Sequence, residues 1–279
     1  MSGVRAPVTL LYRNLDNDPE EIAAAKASFP VVSLVTHAGD TPGLVIGRYS
    51  VLPNYQEVED NLQYIGCRLV NTYAQHRYIA DFDYYEDVKD LTAETFEFGG
   101  LSWAMAANGP GGWVVKGATN SKKWRWLDRM YAPTKYEANI RAVALQEDSL
   151  IGQQKILVRR YMPLLKLAEG INGLPITNEW RFFYLYGRLV AYGYYWGTHP
   201  ELADWSEAEP PKAQLLVGGH EVAELAAKRI APHVNFFAVD VAELDDGTWK
   251  VVEVNDGQQA GLSCIPPDRF YRKLREVLG

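Results

Sequence analysis

Short apolar runs alternate with polar, helix-forming stretches through the first part of the chain. VTLLY at 8–12 and VVSLVT at 31–36 read as strands, and PEEIAAAKASF between them supplies helix formers behind acidic first-turn residues. That is a β-α-β opening. GLVIGRYS at 43–50 predicts a third strand. In NYQEVEDNLQYIG at 54–66, Val58, Leu62 and Ile65 fall on one stripe at helical spacing, and Gly66 ends the helix. CRLVNTY at 67–73 predicts the next strand. Strands that alternate with helices imply a small, mostly parallel α/β lobe over residues 1–90.

The pattern changes beyond Leu91. TAETF at 92–96 and then LSWAMAANGPGGWVVKGATNSKKWRW bring a turn cluster, a strand that ends in a lysine, and a loop of small polar residues. Further strands are predicted at 155–160 (KILVRR), 179–186 (EWRFFYLY), 188–196 (RLVAYGYYW), 234–243 (VNFFAVDVAE) and 248–254 (TWKVVEV). Helices are predicted near 135–149, 219–231 and 267–278. Such close-spaced strands favour antiparallel sheet, so residues 91–279 form an α+β region layered on the α/β lobe. The acidic stretch ELADWSEAEP at 201–210 reads as a solvent loop, and no internal repeat is visible.

Composition narrows the setting. A chain of 279 residues suits two closely packed lobes, and 47% hydrophobic with 23% charged residues is ordinary for a globular protein. No apolar run is long enough to cross a bilayer, and the start MSGVRAPVTLLYRNLDNDPEE lacks a secretory pattern, so a cytoplasmic protein is expected. Cys67 and Cys264 lie far apart and read as reduced thiols. His37, His76, His199, His220 and His233 form no metal-binding spacing, which argues against zinc. A net charge of −7 weighs against a broad nucleic-acid footprint, although a local basic cleft stays open.

Three segments carry candidate chemistry. GGWVVKGATNSKKW at 111–124 delivers Lys116 from a strand into a small-residue loop, with Lys122 or Lys123 adding a second charge, an arrangement suited to phosphate oxygens. It is not a Walker loop, and strand-lysine-glycine alone is also an ordinary turn. VDVAELDDGTWKVVEVNDG at 239–257 is a hairpin that brings Asp240 near Glu253 and Asn255, three hard oxygen ligands. Acids inside such apolar strands are costly to bury without a cation. In NEWRFFYLYGRLVAYGYYW at 178–196, Glu179 and Arg181 share one strand face. Arg181 fits a phosphate clamp and, nearly as well, a solvated pair with Glu179. Tyr192, Tyr194, Tyr195 and Trp196 could form a stacking platform, with strand core as the default.

The order of these elements resembles the ATP-grasp superfamily: VVKG, a flexible loop, a hinge strand, an E-x-R strand, then VDVAE and VEVN. The run from LPNYQEVEDNLQYIG through TAETF and VVKGATNSKKW is similar to the branch named for two arginines and one lysine. The resemblance implies a Rossmann-like lobe followed by a two-subdomain ATP-grasp fold with antiparallel sheets. It implies that Lys116 touches the α/β phosphates and that Lys123 or Lys122 lies in the closing loop. The backbone of Val158, Arg159, Arg160, Tyr161 and Met162 takes the adenine, with Glu179 on the nucleotide side. By the same resemblance Asp240, Glu253 and Asn255 would hold Mg2+ and GQQAGLS at 257–263 would face the acceptor, while Arg181 keeps the γ-phosphate or acyl-phosphate clamp role read from its strand. Two departures stand out: the hinge LVRRYMPL lacks the usual acid, and no lysine ahead of Lys116 matches the first phosphate lysine.

The activity so implied is that of an ADP-forming carboxylate-amine ligase with ATP and Mg2+ as cofactors. It would take a small-molecule or peptide acid and a nucleophile. Such chemistry rests on positioning and charge and requires no nucleophile triad. An enzyme acting on RNA ends and a non-catalytic nucleotide-binding protein are the alternatives, and a homodimer is left open.

Overall fold

The computed structural model describes residues 7–12, 18–40, 42–49, 51–198 and 217–278. The acidic stretch 201–210 and His199 lie outside the described residues. The N-terminal lobe holds β1 (Val8–Tyr12), α1 (Pro19–Ser28), β2 (Val31–Val32), α2 (Val35–Ala38), β3 (Leu44–Arg48), α3 (Tyr55–Tyr64) and β4 (Arg68–Leu69). Its strands run parallel in the order β2-β1-β3-β4, as expected.

Two predicted strands are shorter than their apolar runs. VVSLVT pairs only through Val31 and Val32, and Val35 already begins the turn of α2. CRLVNTY pairs only through Arg68 and Leu69. Thr72 then caps a further helix, α4 (Tyr73–Ala80), through a capping box with Gln75, and α5 (Tyr85–Val88) follows. The reciprocal bonds of Thr72 and Gln75 satisfy amides that a continued strand would have had to pair elsewhere.

The next sheet has the order β5-β8-β6-β7 and is antiparallel. It contains β5 (Thr95–Glu97), β6 (Trp113–Gly117), β7 (Tyr131–Ala132) and β8 (Ile156–Arg160), with α6 (Leu101–Met105) and α7 (Lys135–Gln146) beside it. A short ribbon, β9 (Lys166–Glu169) with β10 (Pro175–Thr177), leads to the last sheet. That sheet, β12-β11-β13-β14, is formed by β11 (Glu179–Leu185), β12 (Arg188–Tyr194), β13 (Phe236–Glu243) and β14 (Trp249–Asp256), all antiparallel. Helices α8 (Val217–Ile230) and α9 (Pro267–Leu278) complete the described chain.

Both faces of the last sheet are covered, which explains why every residue of β11 is buried. Trp180, Phe182, Val239 and Val241 pack with Ala223 and Ile230 of α8 on one side. On the other, Phe183, Phe236 and Phe270 share a core with Leu10, Ile22 and Ile46 of the N-terminal lobe. The lobe is therefore continuous with the central sheet through a common apolar core. Any polar side chain inside β11 or β13 must find its partners within the protein.

Candidate active site

Strand register brings the polar residues together. In an antiparallel sheet, directly paired residues project to the same face. Arg181 pairs with Asp240, Asp240 with Glu253, Ala238 with Asn255, and Glu179 with Ala242. Glu179, Arg181, Asp240, Glu253 and Asn255 thus share one face. A bulge next to Asp240 leaves Val252 as the extra residue of β14.

Their contacts form one network. Arg181 binds Asp240 through a fork, Nε to Oδ1 at 2.8 Å and Nη2 to Oδ2 at 2.7 Å, and donates Nη1 to the Gly261 carbonyl at 2.9 Å. Asp240 is fully buried. The solvated Arg181–Glu179 pair considered from sequence is therefore replaced by a buried Arg181–Asp240 pair. Asn255 Nδ2 donates to Asp240 Oδ2 and Glu253 Oε2, each at 3.3 Å. From β6, across a cleft, Lys116 Nζ bonds Oε1 of Glu253. Burial would raise the Glu253 pKa, but Lys116 and then Lys123 override it and hold the carboxyl at about 2. Burial lowers the pKa of Lys116, against the pull of Glu253.

The two loop lysines part company. Lys123 Nζ donates to the Tyr195 hydroxyl at 2.7 Å and lies over the rings of Tyr195 and Trp196, 4.0 and 4.8 Å from their centroids. Tyr195 and Trp196 thus meet a cation, a role that strand core alone would not give them. Lys122 pairs with Asp148 at 2.7 Å instead. Within the loop, the N–H groups of Gly117, Ala118 and Thr119 already donate to Asn120 O, Lys155 O and Gln154 Oε1.

The hinge residues divide between core and cleft. Val158 is buried in the core behind the sheet. Arg159 donates to Thr95 Oγ1 at 3.0 Å and to the Val252 carbonyl. Arg160 pairs with Glu94 at 3.0 Å and stacks over Trp113. Arg159, Arg160, Tyr161 and Met162 all line a cleft together with Leu174 and Trp196. Lys116, Lys123, Glu179 and Glu253 also line it. Glu179 is buried with the Thr177 hydroxyl 3.4 Å away. Burial pushes its pKa up to about 7 against the pull of Lys123, with Asp240 adding to the rise.

A second, polar pocket adjoins this cleft and shares Ser121, Lys123 and Glu253 with it. Arg181, Asn255, Gln259 and Gly261 line its far wall. The resemblance set 257–263 on the acceptor side; Gln259, Ala260 and Gly261 line this pocket, but sequence reasoning missed what holds them. Asp256 accepts from Asn71 Nδ2 at 2.8 Å and lies 3.0 Å from His76 Nδ1. Arg48 donates to the carbonyls of Gly257 and Ala260 at 2.7 and 3.1 Å. The available signal was an arginine closing the apolar strand LVIGR, where a charge demands buried partners. The Gln259 Nε2 donor is buried and makes no hydrogen bond.

The family model for the ATP-grasp domain, family 3 of the clade named for two arginines and one lysine, matches residues 97–274 of this sequence. The chain belongs to that family. Solved ATP-grasp structures share the fold over nearly the whole chain. The D-cycloserine synthetase DcsG superposes with a TM-score of 0.65 at 15% identity, covering 98% of this chain and 100% of that one. D-alanine-D-alanine ligase from Bacillus anthracis, complexed with ATP, gives 0.52 at 14% identity over 99% and 100%. The ATP-grasp ligase PsnB, complexed with a phosphomimetic variant of its minimal precursor, Mg and ADP, gives 0.54 at 11% over 100% and 98%. At these identities the likeness is one of fold. No curated protein sequence matches the chain. Among the described residues, no helix is long and apolar enough to cross a membrane.

Proposed function

We propose that this ATP-grasp protein is an ADP-forming ligase that phosphorylates a carboxylate and passes the acyl group to an amine or another nucleophile. The observation that carries this reading is the meeting of Lys116, Lys123 and Arg181 with Asp240, Glu253 and Asn255 where an apolar cleft joins a polar pocket. Adenine would lie against Tyr161 and Met162, with the phosphates directed toward Lys116 and Lys123. The acid would occupy the pocket beside Arg181. Ligases complexed with ATP, or with Mg and ADP, share the fold and support this reading.

The donors fit magnesium. Among the described residues no three His, Cys, Asp or Glu side chains gather as a metal cluster. Two carboxylates and one amide suit Mg2+, which commonly takes one or two carboxylates and completes its shell with phosphate oxygens and water. Asp240, Glu253 and Asn255 would hold it, where it would neutralise charge on the phosphates. Arg181, fixed by its fork on Asp240, is oriented to meet charge that develops on the transferring group. Lys123 reaches both parts of the cleft and would hold the phosphate end nearest the acid.

Hydroxylamine tests the reading, because it captures an acyl phosphate as a hydroxamate whichever amine is natural. The protein is incubated with Mg-ATP, hydroxylamine and pools of carboxylic acids and peptides. ADP and hydroxamate should appear together, and Arg181→Lys, which keeps a charge on Asp240 but loses the fork, should lower kcat with little change in ATP affinity. ADP release stimulated by RNA, with no hydroxamate from any pool, would reject the ligase in favour of an enzyme of RNA ends.

A further inference from the structure

We propose that Lys116 is a place-holder cation on Glu253, so that a divalent metal is admitted only together with nucleotide; this rests on the metal assignment made above. The Lys116 ammonium bonds Oε1 of Glu253, and Asn255 Nδ2 donates to Oε2 at 3.3 Å. Both Glu253 oxygens are therefore engaged. Asn255 also directs its amide hydrogens, not its carbonyl oxygen, toward the carboxylates. The Lys116 and Glu253 side chains are only 12% and 14% exposed.

A free cation that approaches this face must expel Lys116 from its partner. That strands an ammonium in a poorly solvated cleft, where an unpaired charge is costly. A polyphosphate removes the obstacle, because Lys116 lines the same cleft and would find new oxygen partners there. Of the two cations, Lys116 is the one free to move. Its single ammonium sits on a flexible stem, whereas Arg181 is fixed by its fork on Asp240 and a third bond to Gly261 O. Asp240 Oδ1 accepts only from the fork and keeps a lone pair, and Oδ2 gains one once the Asn255 amide turns away, so Arg181 need not leave.

The test uses the full chain and Mn2+ as the probe, with bound metal followed by its paramagnetic resonance signal. In the absence of nucleotide, Lys116→Met and Lys116→Gln should bind Mn2+ at least about tenfold more tightly than wild type, equivalent to ~1.4 kcal/mol. A non-hydrolysable ATP analogue should tighten Mn2+ binding to wild type more than to either variant. Lys116→Gln retains a donor for Glu253, which guards against misfolding of the methionine variant. If that variant is unfolded in metal-free buffer, its refolding by Mn2+ counts for the proposal. Wild type that binds Mn2+ alone within about threefold of both variants overturns it. If Glu253→Gln and Asp240→Asn bind Mn2+ with the analogue as wild type does, the metal assignment itself fails and takes this inference with it.

Discussion

Glu179 is buried and Glu253 is 14% exposed on one sheet face, yet their pKa values move in opposite directions: burial raises Glu179, whereas Lys116 and Lys123 overcome burial at Glu253. Glu253 is held at about 2 by the ammonium against it, while burial pushes Glu179 up to about 7 against the pull of Lys123. The pH dependence of stability follows from those directions. A carboxyl raised above its ordinary 4.5 binds more protons folded than unfolded, so its contribution to folding falls as pH rises from about 4.5 through about 7. For Glu253 the stabilisation is present above about 4.5 and is lost as pH falls toward about 2. Glu179→Gln should therefore raise the thermal midpoint at pH 8, each decade of altered proton affinity being worth ~1.4 kcal/mol, and the gain should shrink toward pH 4.5. Thermal unfolding of both proteins across that range checks it, and a gain independent of pH would mean that Glu179 is not the titrating group. The types of these residues were legible because acids interrupt strongly apolar strands. Their partners were not: Arg181 meets Asp240 across 59 positions, and Lys116 meets Glu253 across 137. Pairing at such separations depends on which strands lie side by side, and that is decided by the whole sheet.

At the scale of elements, β11, β12, β13, β14 and the helices α7, α8 and α9 follow the apolar pattern closely, since each buries one or both faces, α7 against the β6 and β8 sheet and the others against the central sheet. The pattern misleads where a capping signal cuts across an apolar run. CRLVNTY looks like one strand, but Asn71 turns its side chain to Phe236 O and Asp256, and Thr72 opens α4. The Thr-x-x-Gln spacing was in the sequence as a capping box and outranks strand propensity there. The bulge at Val252 had no sequence mark, because Val is the commonest kind of strand residue. Helix α4 matters to the site because it carries His76, 3.0 Å from the carboxylate of Asp256, the residue after Asn255. Thr72→Ala removes the cap and should cost ~1 kcal/mol, within the usual range for N-cap losses. Urea unfolding should show a lower midpoint with unchanged slope. An unaltered midpoint would mean that the capping bonds are replaced by water at no cost.

At the scale of the molecule, the expected lobe over residues 1–90 joins the rest through buried polar contacts as well as apolar ones. Arg48 is fully buried, pairs with Glu21 at 2.9 Å, and grips the carbonyls of Gly257 and Ala260. Burial would raise the Glu21 pKa, but Arg48 and the hydroxyls of Tyr12 and Tyr271 hold it below its ordinary value. The N-terminal lobe therefore supports one wall of the polar pocket by fixing the backbone of residues 257–260. Arg48→Met would leave Glu21 charged, buried and without its cation, a change that typically costs ~3–5 kcal/mol. Arg48→Met with Glu21→Gln removes that stranded charge and should recover part of the loss, while the Gly257 carbonyl still lacks the Arg48 donor and that of Ala260 keeps only the Tyr49 hydroxyl. Two measurements separate these contributions. Urea unfolding should rank wild type above the double variant and the double variant above Arg48→Met, each in one cooperative transition. Hydrogen exchange at 257–261 should rise in both variants, because both lose the grip on the loop. If exchange there stays at the wild-type level while stability falls, Arg48 serves the core alone and the lobe has no hold on the pocket wall.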